Sequence, residues 1–337
     1  MEMRADATLQ VEGGVDQLAF TLYHDYRVTG VRDGTGAPLA HRREGDYLWV
    51  EAPQGGVLTI SYRGSSTERY SNSIACFLPG DFPFYPMAGL FSMYDINAQG
   101  LTAVHPGGTT AFRLEVRAPY PVSVSLPGSG GVYEGEAATI SLAGGALGLA
   151  EDLSDGVTLF HPAMQEWRSN PTREKLQKAL DRTCEKLELP PVELPEDYLV
   201  YAAPATMQTA SKLSTFADHA VAYEPVNAQN FAFAYLCESL EVPVEKRAVL
   251  EVFQGEQAYI NGNYPTLRVL RYCASQPEML KALYARSVER WGEEEVSARI
   301  YSYLVDDEDI RSPRQFLEEL CHYEEEVRAD EEALAAV

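Results

Sequence analysis

The hydrophobic period of this chain changes once, near Glu166-Trp-Arg-Ser-Asn-Pro171, and that change limits the folds open to it. Before it, apolar residues recur at every second position in Leu18–Tyr23, Tyr47–Glu51, Val57–Tyr62, Ala111–Arg117, Val122–Leu126 and Ala138–Leu142. A period of two suits strands with one buried face. Turn signals at Asp33-Gly34, Glu44-Gly-Asp46, Pro127-Gly128 and Gly144-Gly145 separate these runs and favour antiparallel strands over a parallel sheet with crossover helices.

After the change the period becomes helical. Leu176, Ala179, Leu180, Thr183 and Leu187 form one stripe of a helix from Pro171 to Leu187, with Asn170 as its expected N-cap. The proline-rich Leu189–Pro195 ends it, and Tyr198–Ala203 and His219–Tyr223 read as short buried strands. A helix then opens at Pro225, with Asn227 as cap and Phe231, Ala232, Tyr235 and Leu236 at helical spacing. Further helices are expected over Glu245–Phe253, in a segment from Gly255 that contains Tyr259, over Pro277–Trp291 and Glu293–Leu304, and from Pro313 onward with Ser312 as cap. The acidic run Glu324–Glu332 reads as a solvated, fraying face. The expected class is α+β: an N-terminal antiparallel β-sandwich over residues 1–165, then a mostly helical domain with a small sheet over 166–337.

Charge narrows the partners. Fifty acidic against 27 basic residues give a net charge of −23, which repels nucleic acid and anionic membrane. Cys76, Cys184, Cys237, Cys273 and Cys321 stand singly, as buried free thiols of a reducing compartment do. With no apolar run of membrane-spanning length and no apolar signal core at Met1–Asp6, the expectation is a soluble, cytoplasmic chain with no membrane insertion.

Few residues carry obvious chemistry. Pro79-Gly-Asp-Phe-Pro-Phe-Tyr-Pro-Met87 is dense in rings and prolines, and such stiff segments more often plug a sandwich end than hold a ligand. His105 stands in a turn, His24 and His41 at strand ends, and His322 in an acidic helix. Asp218, His219 and Glu224 form the one His-carboxylate grouping close to the opening of the Pro225 helix, but a strand would send neighbouring side chains to opposite faces. No nucleophile elbow, phosphate loop or dinucleotide fingerprint is present.

The order of elements, with Phe84-Tyr85-Pro86, Ala205-Thr-Met-Gln-Thr209, Gln229-Asn-Phe-Ala-Phe233 and Gln254-Gly255, resembles the first two domains of zinc aminopeptidases of the aminopeptidase N type, in shortened form. The resemblance implies a thermolysin-like, gluzincin second domain. Met207 matches the family's Gly-Ala-Met-Glu-Asn, with Gln208 at its amine-binding Glu. Gln229 and Phe233 stand at the two imidazoles of His-Glu-x-x-His, Asn230 at the general base, Gln254 at the third ligand, and Tyr259 follows. Hydrolysis in that family needs those imidazoles, a carboxylate ligand and a basic Glu. Neutral residues there imply a pseudoenzyme that holds no metal or other cofactor. Its cleft, lined by Met207, Gln208, Gln229, Asn230, Phe233, Gln254 and Tyr259, is then kept for a peptide or protein partner. Two rival readings remain: a hydrolase with an unrecognised site, such as zinc on His219 and Glu224, and a scaffold acting through the loop around Phe82–Pro86.

Overall fold

The computed structural model describes residues 3–322 apart from 12–15, 67, 96–99, 102, 105, 107, 165–171, 187–188, 206, 208–212, 241, 243–245, 247–248, 250–276 and 307. Gln208, Gln254, Tyr259, His105, Cys273, the cap at Asn170, the acidic run Glu324–Glu332 and nearly all of the expected helix Glu245–Phe253 therefore lie outside the described residues. The chain divides into two compact units. One comprises Met1–Arg168, Asp197–Ala210 and Asp218–Pro225, and the other Ser169–Glu196, Ser211–Ala217 and Val226–Val337.

The first unit is built on antiparallel pairs. Met3–Gln10 and Arg27–Asp33 flank Val57–Gly64, whose side chains alternate between half-buried and buried along its length. A second sheet runs His41–Glu44, Tyr47–Glu51, Gln17–Thr21, Met87–Ala88. Leu58 and Ile60 from the first sheet and Phe20, Leu48 and Val50 from the second share one core. Burying each such side chain contributes about 1.5–3 kcal/mol, so the period of two is what assembles this unit. The aromatic loop belongs to the same core: Phe82, Phe84 and Met87 are all buried, so its rings are not a free surface for a partner.

Strand formation fails at one expected place. Ladder pairing covers Val132–Ala137 and Leu142–Gly145 but not residues 138–141. There Thr139 Oγ1 donates to the Gly80 carbonyl at 2.6 Å, and Gly80 N–H donates to Ser141 Oγ at 2.8 Å. Side chains thus take both backbone groups of Gly80, and the Ser141 backbone bonds Ser125. Gly80 is required for this approach, since a Cβ there would sit 2.7 Å from the Thr139 methyl.

A further sheet of this unit runs Leu149–Ser154, Val157–His161, Tyr198–Ala202, His219–Ala222. Its first pair is antiparallel and the next two are parallel. Tyr198 and Val200 are buried, as are all four residues of His219–Ala222, in keeping with the near-continuous apolar runs of parallel strands.

The described α-helices all fall in the second unit: α1 (Arg173–Lys186), α2 (Ala228–Ser239), α3 (Pro277–Trp291), α4 (Glu293–Val305) and α5 (Pro313–Cys321). Thr172 opens α1, accepting the Lys175 N–H on its hydroxyl and the Leu176 N–H on its carbonyl. Ser312 caps α5 through a capping box with Gln315, behind Pro313 at the first position. The Lys246 ammonium, 4% exposed, donates to the carbonyls of Tyr303 at 2.7 Å and Asp306 at 2.5 Å, which places a cation at the negative end of α4. Tyr303 stacks on Phe316 and Trp291 Nε1 donates to the Leu320 carbonyl, joining α4 and α3 to α5. Cys76, Cys184, Cys237 and Cys321 are buried thiols outside any disulfide. Among the described residues no helix is long and apolar enough to cross a membrane.

Candidate functional site

Helix α2 starts where the sequence places its cap. Asn227 is extended, and its side chain accepts the N–H of Gln229 at 2.9 Å and of Asn230 at 3.2 Å. From Asn230 to Cys237 every residue is buried, so the helix is apolar nearly all round and sits inside the second unit. Phe231 stacks on Tyr235 at 5.6 Å between centroids, and Tyr235 Oη donates to the Ala217 carbonyl.

The candidate residues on this helix have different surroundings. Gln229 is exposed, Asn230 is buried, and Phe233 one turn on is 1% exposed. Zinc does not fit this donor set: a phenyl ring offers no lone pair, and neutral amides are poor zinc ligands with no useful basicity. Among the described residues no group of three or more His, Cys, Asp or Glu could hold a metal ion. Met207, half-buried in the first unit, donates its N–H to the Pro204 carbonyl.

Gln229 does line a hollow. A cavity of about 370 Å³ lies between α1 and the start of α2, walled by Lys175, Lys178 and Arg182 on one side and Asn227, Ala228 and Gln229 on the other.

The first unit contains a polar constellation that periodicity did not disclose. His219 Nδ1 lies 2.8 Å from Asp218 Oδ1, and His219 Nε2 lies 2.8 Å from Ser141 Oγ. A carboxylate only accepts, so Nδ1 donates to Asp218 and Nε2 faces the Ser141 hydroxyl. The expectation that Asp218 and His219 point apart is thus corrected. Asp218 precedes the first paired residue of its strand, so face alternation does not govern it. With Nδ1 on Asp218, a metal would need Nε2, and that nitrogen faces Ser141 Oγ in this arrangement.

Ser, His and Asp in this order are the atoms of a proton relay for acyl transfer. Ser141 and His219 are both 0% exposed and Ser141 Oγ already receives the Gly80 N–H, while the Asp218 side chain is 34% exposed. The arrangement holds the fold rather than a substrate. A second buried chain runs nearby in sequence: Arg69 donates to Tyr223 Oη at 3.2 Å, which donates to Asp81 Oδ1 at 2.8 Å. Burial pushes the Tyr223 hydroxyl well above its ordinary range, Arg69 pulling the other way and Asp81 adding to the rise. The signal for both networks was polar residues inside apolar runs, Thr139 and Ser141 among them.

His24 bonds Asp46 through Nδ1 at 2.9 Å. His322 closes α5 in a left-handed conformation, φ 53°.

No protein-family model matches the chain, and no curated protein matches it. Solved structures do. An M1 zinc metallopeptidase from Deinococcus radiodurans is similar with a TM-score of 0.55 at 11% identity, over 96% of this chain and 87% of that one. A mutant two-domain M1 zinc metallopeptidase bound to L-tryptophan gives 0.52 at 13% identity, over 95% and 89%. Aminopeptidase A from Legionella pneumophila, in complex with aspartic acid, gives 0.50 at 10% identity, over 95% of this chain and 46% of that one. Identities this low establish likeness of fold: the chain has an aminopeptidase-like, α+β architecture.

Proposed function

We propose that this chain is a catalytically silent, aminopeptidase-like protein that keeps a cleft for a peptide or protein partner. One observation carries the reading. Helix α2 holds its aminopeptidase-like place in the chain order, yet it presents Gln229, Asn230 and a core-packed Phe233 where the resemblance puts two imidazoles and a general base. Proton removal from a metal-bound water needs a carboxylate at the position of Asn230, and an amide cannot do it. What survives is shape. A fold that loses its chemistry can still offer a groove, and Gln229, at the rim of an open hollow, can hydrogen-bond a peptide backbone.

The test is zinc content together with turnover of aminoacyl-anilides. The expected outcome is sub-stoichiometric zinc and no chelator-sensitive hydrolysis. Stoichiometric zinc with turnover that a chelator abolishes would overturn the reading.

A further inference from the structure

The geometry points to the hollow between α1 and α2 as a binding site for the carboxylates of an acidic peptide segment, an inference that rests on the reading of this chain as a binding protein. Lys175, Lys178 and Arg182 fall within about 60° of one another around α1, so their side chains share one stripe. Glu174, Asp181 and Glu185 fall on the adjoining stripe, and Asp181 is taken by the Gln177 amide at 2.9 Å. Among the described residues no carboxylate pairs with any of the three cations. In a chain with 50 acidic residues against 27 basic ones, a hollow walled, among the described residues, by three cations and no acid runs against the composition.

The end of α2 is not the source of this attraction. Its amides at Gln229 and Asn230 are already bonded to Asn227, so the positive field in the hollow comes from the α1 side chains. That field is local, whereas the whole chain, at −23, repels long polyanions. A short segment with a few carboxylates meets the cations without carrying a large charge into the outer field. Spacing agrees: Lys175 to Arg182 covers about 10 Å of helix. Side chains on one face of an extended peptide recur about every 7 Å, so two or three carboxylates reach all three cations. Gln229, across the hollow, is placed to bond the peptide's own amides.

The experiment measures fluorescence anisotropy of a fluorescein-labelled peptide of alternating Glu and Ala against the full chain. Binding should weaken as salt rises, and a Lys-Ala peptide of the same length should not bind. The combined Lys175→Glu, Lys178→Glu and Arg182→Glu variant should bind about tenfold more weakly or worse. Arg42→Glu, which alters an exposed cation of the other unit, should leave binding unchanged. Because charge reversal could unsettle α1, the triple change to Gln is measured too, with thermal melting to confirm that it folds. Equal binding by a folded triple variant overturns the inference, and so does displacement by inorganic phosphate at equal concentration, which would mark a general anion trap. Either result leaves the silent-enzyme reading standing. Chelator-sensitive turnover would remove that reading without touching the anisotropy result.

Discussion

His219 and Phe233 are both closed to solvent, and they are closed by opposite chemistry. Around His219, in the first unit, Ser141, Asp218 and the Gly80 amide satisfy one another, so the atoms of a proton relay are present without an entrance. Phe233, in the second unit, is 1% exposed on a helix whose residues from Asn230 to Cys237 are all buried, while the first turn of the same helix opens on a hollow. His219 has reactive groups around it without access, and the hollow at the start of α2 has access without a metal ligand or general base. A constellation of residue types is therefore no better evidence of catalysis than a cleft is, and each needs the other half.

The largest effect should come from removing the hydrocarbon. Phe233→Ala empties a fully buried ring from α2 and should cost about 3–5 kcal/mol in urea unfolding. A cost below about 1 kcal/mol, the level of an exposed side chain, would mean that the ring does not close the second unit, and the contrast with His219 would break.

A polar closure should cost less and behave differently. His219→Leu leaves the Ser141 hydroxyl short of a partner, at about 1–3 kcal/mol. Ser141→Ala strands the buried Gly80 amide at a similar cost. Made together, the two changes should cost less than the sum of the singles, because each removes part of the same network. Strict additivity in that double-mutant cycle would show that the contacts are independent, and that the first unit is held here by packing alone.

How much of this was legible follows from which forces write themselves into local sequence. The period of two at Tyr47–Glu51 and Val57–Gly64, the cap at Asn227 and the Ser312-Pro313 start of α5 are local signals, and each stands where the sequence places it. The pairing of Ser141 with His219 spans 78 positions, so no local pattern could announce it. The run Ala138–Leu142 misled because its alternation is real while Thr139 and Ser141 bond Gly80 through their side chains and the Ser141 backbone bonds Ser125. The cations of α1 were visible as residues, but the stripe of Leu176, Ala179 and Leu180 drew attention to the buried face. What the exposed face encloses depends on the start of α2, some fifty residues on.

A smaller effect sharpens the comparison at the start of α2. Asn227→Ala should cost about 1 kcal/mol, because it frees two amides that water can partly satisfy. Hydrogen exchange should rise first at Gln229 and Asn230. If protection there is unchanged, the hollow rather than the cap sets the order of that turn.

The smallest effect concerns acid, and it follows from the same contrast. The hydrocarbon around Phe233 does not titrate, so any response of the second unit to low pH must arise elsewhere. Among the described residues of this unit Asp309 is the carboxylate whose folded value is depressed. Bonds from Arg311 hold its carboxyl at about 2, against an ordinary value of 3.8, and Arg311 also donates to Glu319 on α5 at 2.6 Å. The unfolded chain takes up this proton first as pH falls. Its contribution to stability is therefore complete above about pH 4 and is lost progressively toward pH 2. Asp309→Asn should flatten that stretch of a melting-temperature profile and leave the profile near neutral pH parallel to the parent. A variant that loses stability in parallel with the parent between pH 4 and 2 would assign the acid response to other carboxylates, with the apolar closure of α2 still the part of this unit that pH does not reach.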